Sequence, residues 1–359
     1  MVNKKWLSFF GKPGDATVFG FRMKRFSHVF CPVYLLYLSA FCQPDTTVNL
    51  LDSAKFYLVH QQYDKSEYFS NIILLRQPSN ADAAYLLVAS AQTRILDYES
   101  YNLEAEYFLE KAGTALQTLN RDLPGKRGQD SLVCLFYIGN VQGGISIIQA
   151  KVGNWPSAVR YGANSLGAFK RVIKSDPDFY PAYLGLGIFN YYISQHLKWL
   201  PFFGDRRKEG LDQIWLSTKA VFPYSYVAKN SLCWILLERN QYDVADSVAS
   251  SVLAELPSNT IFIRLKARIA LWKREWPDAI GWAKKLVMLS EKRIPINWSD
   301  LLSGYQILIS SYDSFGRKNE CLALCRKALS RMVPEPYSQI PYVKKHLKYI
   351  AEIQKKYSK

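Results

Sequence analysis

Histidines, cysteines and paired carboxylates are the side chains that would carry acid–base, nucleophilic or metal chemistry, and in this chain they are scattered. The four histidines, His28, His60, His196 and His346, lie far apart and form no metal-ligand pattern. No His-Glu-x-x-His, Gly-Lys-Ser/Thr phosphate loop or Gly-x-Ser-x-Gly elbow is present. Gly185-Leu186-Gly187 is a fragment of a dinucleotide fingerprint, but it lies inside a helical pattern and Asn190 stands where the third glycine would be. Cys321 and Cys325 are four apart, on one helical face; they are half a metal site with no second pair to complete it. Glu104 and Glu106 sit on a solvated helix. The expectation is a non-enzymatic protein with no catalytic, cofactor or metal site.

What remains is architecture. In 359 residues, 49% are hydrophobic and 21% charged, with 24 Tyr, 19 Phe and 9 Trp. Few turn residues and long apolar-periodic runs predict an all-α chain. The helical pattern repeats about every 34 residues. Counting from Tyr226, small or apolar residues fall at position 8 (Cys233), 20 (Ala245), 24 (Ala249) and 27 (Val252), with Pro257 at 32. The unit from Thr260 repeats this with Ala267, Ala279, Ala283 and Leu286. The unit from Leu302 places Cys321 and Cys325 at 20 and 24, so packing explains both thiols. Small side chains there let two antiparallel helices approach closely, and proline ends the second helix.

Earlier units are looser. Residues 47–80 carry Ala54, Tyr63, Ser66 and Pro78 in register, and helices are predicted at Ala83–Leu96, Leu103–Leu119 and Leu132–Val152. Trp155-Pro156-Ser157-Ala158 recurs as Trp276-Pro277-Asp278-Ala279. The unit from Tyr180 has Leu186 and Gly187 at positions 7 and 8, Asn190 in place of an aromatic, and Gly210 at 20. About twelve extra residues separate its helices, around His196–Phe203. Tyr342–Tyr357 is an amphipathic, lysine-rich end helix suited to cap an array.

This pattern resembles the tetratricopeptide repeat over residues 47–333. The Gly185–Asn190, Leu200–Asp205 and Glu209–Leu211 runs look like a group of bacterial repeat proteins. They are more distantly similar to mitochondrial outer-membrane proteins involved in inclusion-body clearance. The resemblance implies an α-solenoid of helical hairpins with a concave groove lined by first helices, a protein or peptide ligand, and no catalysis. The groove positions give Tyr191, Asn230, Trp234, Arg264, Arg268, Trp272 and Gln306, where forked donors and aromatic walls suit an acidic segment or a peptide carboxyl terminus. A glycan or small ligand in an aromatic-lined groove is the alternative.

The net charge is +16, of which residues 1–42 carry +5. No nucleic-acid-binding pattern accompanies it, and no nucleic-acid partner is expected. Met23-Lys24-Arg25 followed by the apolar run Val29–Cys42 predicts an export signal, cleaved before Gln43, with Met23 as the true start; retention as an anchor through residues 26–42 is the alternative. A periplasmic or outer-membrane-associated protein of the cell envelope follows from that reading. The apolar and basic loop 197–208, with Lys198, Trp199, Phe202, Phe203, Arg206 and Arg207, is a candidate contact to a membrane surface or partner. The domain expectation is 1–42 as extension and signal, 43–175 as irregular repeats, 176–333 as regular repeats and 334–359 as the basic cap.

Overall fold

A computed structural model describes residues 46–197 and 204–358; Lys198, Trp199, Phe202 and Phe203 of the candidate loop lie outside them, as do the export signal and its cleavage site. The described residues form helices and turns without strands, and Thr47–Lys359 is one compact unit. Seven hairpins follow in chain order. They are α1 Thr46–Val59 with α2 Tyr63–Arg76, α3 Ala81–Tyr98 with α4 Tyr101–Asp122, and α5 Gly128–Lys151 with α6 Trp155–Ser175. Next come α7 Ala182–Leu197 with α8 Arg207–Ser217, α9 Tyr224–Glu238 with α10 Tyr242–Glu255, α11 Thr260–Lys273 with α12 Trp276–Glu291, and α13 Trp298–Ser314 with α14 Lys318–Leu329. Helix α15, Pro341–Tyr357, packs on the last hairpin through Val343 and Ile350, which are fully buried.

Within six of the hairpins the chain reverses through one residue in the left-handed region: Gln61, Glu99, Gly153, Asn240, Arg274 and Gly316. Only the third and seventh use glycine, which alone adopts that conformation without a Cβ penalty. The fourth hairpin has the long connection, and in it Gly204, at φ 57°, precedes α8. Its helix α7 continues through His196 to Leu197, two residues into the stretch expected as insertion.

The small positions lie where the helices touch. Ala245, Ala249, Ala279, Ala283, Cys321 and Cys325 are all fully buried, and the four described cysteines are free thiols. Burial pushes the Cys233 and Cys325 thiols up to about 12, which removes thiolate character at neutral pH. In the fourth hairpin α7 and α8 meet backbone to backbone. A Cβ on Gly187 would lie 2.7 Å from the Gly210 carbonyl oxygen and 2.7 Å from Ile214 Cγ1. Asn190, 2% exposed, donates from Nδ2 to Gln213 Oε1 at 2.8 Å, tying the same two helices. Gly187→Ala is therefore expected to lower stability by about 1–3 kcal/mol through overpacking. Gly167→Ala, where the added Cβ meets nothing within 4 Å, should instead gain about 0.5–1 kcal/mol. Urea midpoints of the two variants check this, and equal shifts would refute the close approach.

The array also returns on itself. The first and second hairpins touch the sixth and seventh, about 200 residues further along the chain. Asn259 and Asn297 cap α11 and α13 by accepting from Phe262 N and Asp300 N. Their amides donate outward, to the Val59 carbonyl at the end of α1 (3.4 Å) and the Asp97 carbonyl near the end of α3 (3.2 Å). Ser299 Oγ donates to the Tyr98 carbonyl at 2.6 Å. Helix C-termini thus meet helix N-termini, each supplying what the other's orphaned groups lack.

Candidate functional site

The seam between the two ends of the array is polar and largely buried. Asp97, 1% exposed, accepts at Oδ2 from Arg293 Nη1 (2.7 Å), Tyr63 OH (2.8 Å) and Gln61 Nε2 (3.0 Å). Gln61 Oε1 accepts from Thr260 N at 2.8 Å, and the Arg293 guanidinium lies 4.7 Å from the Tyr98 ring centroid. Burial opposes the Arg293 charge, but Asp97 and the two tyrosines more than offset it, so its pKa rises. Every strong donor and acceptor in this group has a partner within the chain. It ties the first two hairpins to the last two.

A second group lies on first helices α9, α11 and α13 and on α15, which stand side by side. Arg264 is 6% exposed and donates from Nη1 to Asp300 Oδ1 at 2.7 Å. Burial pushes the Asp300 carboxyl up to about 6 against the pull of Arg264, so the pair is charged at neutral pH. Arg268 reaches past α13, where it bonds Ser303 at 3.4 Å, to the Tyr342 hydroxyl of α15. Its guanidinium lies 5.4 Å from the Trp234 ring centroid, a cation–π contact. Burial and then the neighbouring Arg264 charge hold Arg268 below its ordinary pKa, with Tyr342 a partial offset.

This group is not saturated. Arg264 Nε, Arg268 Nε, Asn230 Oδ1 and both ring nitrogens of His346 are buried atoms without a hydrogen-bond partner. His346 is 3% exposed and packs edge-on against Tyr342, with centroids 4.4 Å apart. Buried polar groups are ordinarily paired, so a concentration of unpaired ones marks a place where water or a ligand completes them.

The residues expected from the register do not all share one place. Asn230, Trp234, Arg264 and Arg268 lie on neighbouring helices α9 and α11. Arg264 differs from the expectation in one respect: its fork is engaged by Asp300, so it faces a carboxylate of its own chain. Tyr191 is 5% exposed and belongs to the core cluster of the fourth to sixth hairpins. Trp272, 44% exposed, packs toward Tyr242 of α10, with centroids 6.3 Å apart. Gln306 is half-buried on α13. Arg206 and Arg207 pair with Glu209 and Asp205, at 2.8 and 2.5 Å. Tyr342 and His346 were not expected, and nothing in their local pattern separates them from other positions of an amphipathic end helix. Among the described residues no group of three His, Cys, Asp or Glu could hold a metal ion.

Comparison with known folds decides the architecture. The crystal structure of the APC/C hetero-tetramer Cut9–Hcn1 superposes with a TM-score of 0.55 at 16% identity, covering 89% of this chain and 54% of that one. The fold is a tetratricopeptide-repeat solenoid. This chain thus spans about half the length of the Cut9–Hcn1 chain it matches. The C-terminal part of a tetratricopeptide-repeat protein from Cytophaga hutchinsonii matches over 81% of this chain at 12% identity, with a TM-score of 0.41. No protein-family model matches the sequence, and no curated protein does. In the solenoid, α15 extends the row of first helices beyond the seventh repeat.

Proposed function

We propose that this protein is a non-enzymatic interaction scaffold that takes a peptide or protein segment along its first helices, in the cell envelope. The observation that carries it is the unsatisfied set beside Trp234: Asn230 Oδ1 and the Nε groups of Arg268 and Arg264 are buried without partners. The donors suit an acidic group on the ligand, and the Trp234 indole supplies contact area at low entropic cost. Arg264 is held by Asp300, so Arg268 is the cation that would meet the ligand's charge. The envelope location is an expectation from the export signal at residues 23–42. A mature amino terminus at Gln43 is the expected result of sequencing the protein from its native source.

Binding is tested on immobilised acidic peptides beside their amidated counterparts. Arg268→Gln is expected to weaken capture of the acidic set about tenfold or more, and Trp234→Ala to weaken capture of both. Arg264→Glu is a poor probe because it would set two carboxylates together in the interior. Full capture by both Arg268→Gln and Trp234→Ala would end this reading.

A further inference from the structure

The second helix of each repeat forms the other layer of the solenoid, and α6 differs from its six counterparts. It carries Arg160, Lys170, Arg171 and Lys174 and no acid, whereas α2, α4, α8, α10, α12 and α14 each contain at least one Asp or Glu. All four cations are exposed. On the same side of the helix, Trp155 and Val159 stand one turn apart at 64% and 69% exposure, and Ala163 continues the row another turn along. Val152, at the end of α5, adds an apolar side chain at 45% exposure beside Lys151.

The chain contains its own control for this surface. Helix α12 begins with the same Trp-Pro-x-Ala step, yet Trp276 is half-buried and Ile280, the counterpart of Val159, packs against the core. Asp278 stands in its first turn, where α6 has Ser157. The Trp-Pro start therefore does not by itself force an aromatic outward. The acid facing α6 is Glu209 of α8, which feels Lys170 and whose carboxylate is engaged by Arg206 at 2.8 and 2.9 Å. Asp176 and Asp178 follow the helix, and Asp176 Oδ1 accepts from the Asp178 backbone N–H.

We infer that the exposed face of α6 docks on an anionic lipid bilayer, with Trp155 and Val159 entering the headgroup boundary and the four cations meeting lipid phosphates. Exposed indole and aliphatic groups beside cations on one helix face are the chemistry of interfacial attachment. Of the net charge of +16, the +11 that lies outside residues 1–42 stays with the protein after the expected cleavage and draws it to such a surface. Attachment through the helix surface needs no change of fold, since the opposite face of α6 stays packed through Ala158, Phe169 and Val172.

The test is oxidative footprinting of the full chain, read at individual side chains. Vesicles of phosphatidylcholine with 30% phosphatidylglycerol, on the order of the anionic content of a charged leaflet, are expected to protect Trp155 about fivefold or more. Trp272, on α11, should keep its reactivity. Phosphatidylcholine alone, or about 0.5 M salt, should abolish the protection. Lys170→Glu with Lys174→Glu should lower affinity at least tenfold, at about fivefold per basic residue. Unchanged Trp155 reactivity with anionic vesicles would overturn the inference, as would protection that survives the double charge reversal. Protection by a nucleic acid but not by vesicles would overturn it in favour of a different partner.

Discussion

Asp97→Ala is expected to cost about 3–5 kcal/mol and to open the array, because it leaves Arg293 as an uncompensated buried cation. Arg293 is 13% exposed and Asp97 is fully shielded, so solvent cannot take over from the lost carboxylate. Tyr63 OH loses its acceptor at the same time, and Gln61 and Asn297 each lose one of theirs. The seam is the contact between hairpins five repeats apart. Its loss should therefore raise the radius of gyration in solution scattering as well as lower the urea midpoint. Replacing the whole pair, as in Asp97→Asn with Arg293→Met, removes both charges and should cost less than either half-removal. A destabilised Asp97→Ala variant with unchanged dimensions would show that the seam does not set the curvature. An unchanged midpoint would show that it does not hold the fold.

That seam also marks the limit of what the sequence carries. The 34-residue period and the small residues at fixed positions specify each hairpin, because close approach of two helices is a local demand. Gly187 against Gly210, and the alanines and cysteines at positions 20 and 24, are visible for that reason. Asp97 is different. In its own helix it reads as one more polar residue near a C-terminus, and its partner Arg293 is 196 residues away. Only the accumulated turn of five repeats brings them together, and small rotations between units do not register in composition. The same holds on the inner face. The register assigns Arg264 and Arg268 to one helix, but it is silent on Asp300 and Tyr342, which they meet 36 and 74 residues later. The face of α6 lay in view as a helix without acids. What made it notable was the exposure of Trp155, which the identical motif in α12 does not share.

His346→Leu is expected to make the protein less sensitive to acid, although His346 is buried. The imidazole is buried on α15 with neither nitrogen paired, and it faces Arg268 and Arg264 from α11 with Lys345 beside it on its own helix. Burial first, then the Arg268 charge, hold its pKa down to about 3 from an ordinary 6.5. Between those values the unfolded chain takes up a proton that the folded chain refuses. Stability from this residue is complete above pH 6.5 and is lost as pH falls, by up to about 1.4 kcal/mol per unit. That amounts to about 2 kcal/mol at pH 5. Asp300 acts in the opposite sense. Its pKa is raised from 3.8 to about 6 by burial, so the folded state holds the extra proton and stability from that group falls as pH rises through this window. The two contributions offset each other in the native chain, and a flat wild-type profile would hide both. Differences between variants separate them. Relative to wild type, His346→Leu should gain about 2 kcal/mol between pH 6.5 and pH 5, whereas Asp300→Asn should lose stability over the same descent. Urea midpoints across pH 5–7 measure both, and a His346→Leu offset that stays constant with pH would show that the imidazole titrates alike in the folded and unfolded chain. At pH 7 the leucine variant should be no less stable than wild type, since it removes two unpaired buried nitrogens without leaving a stranded partner.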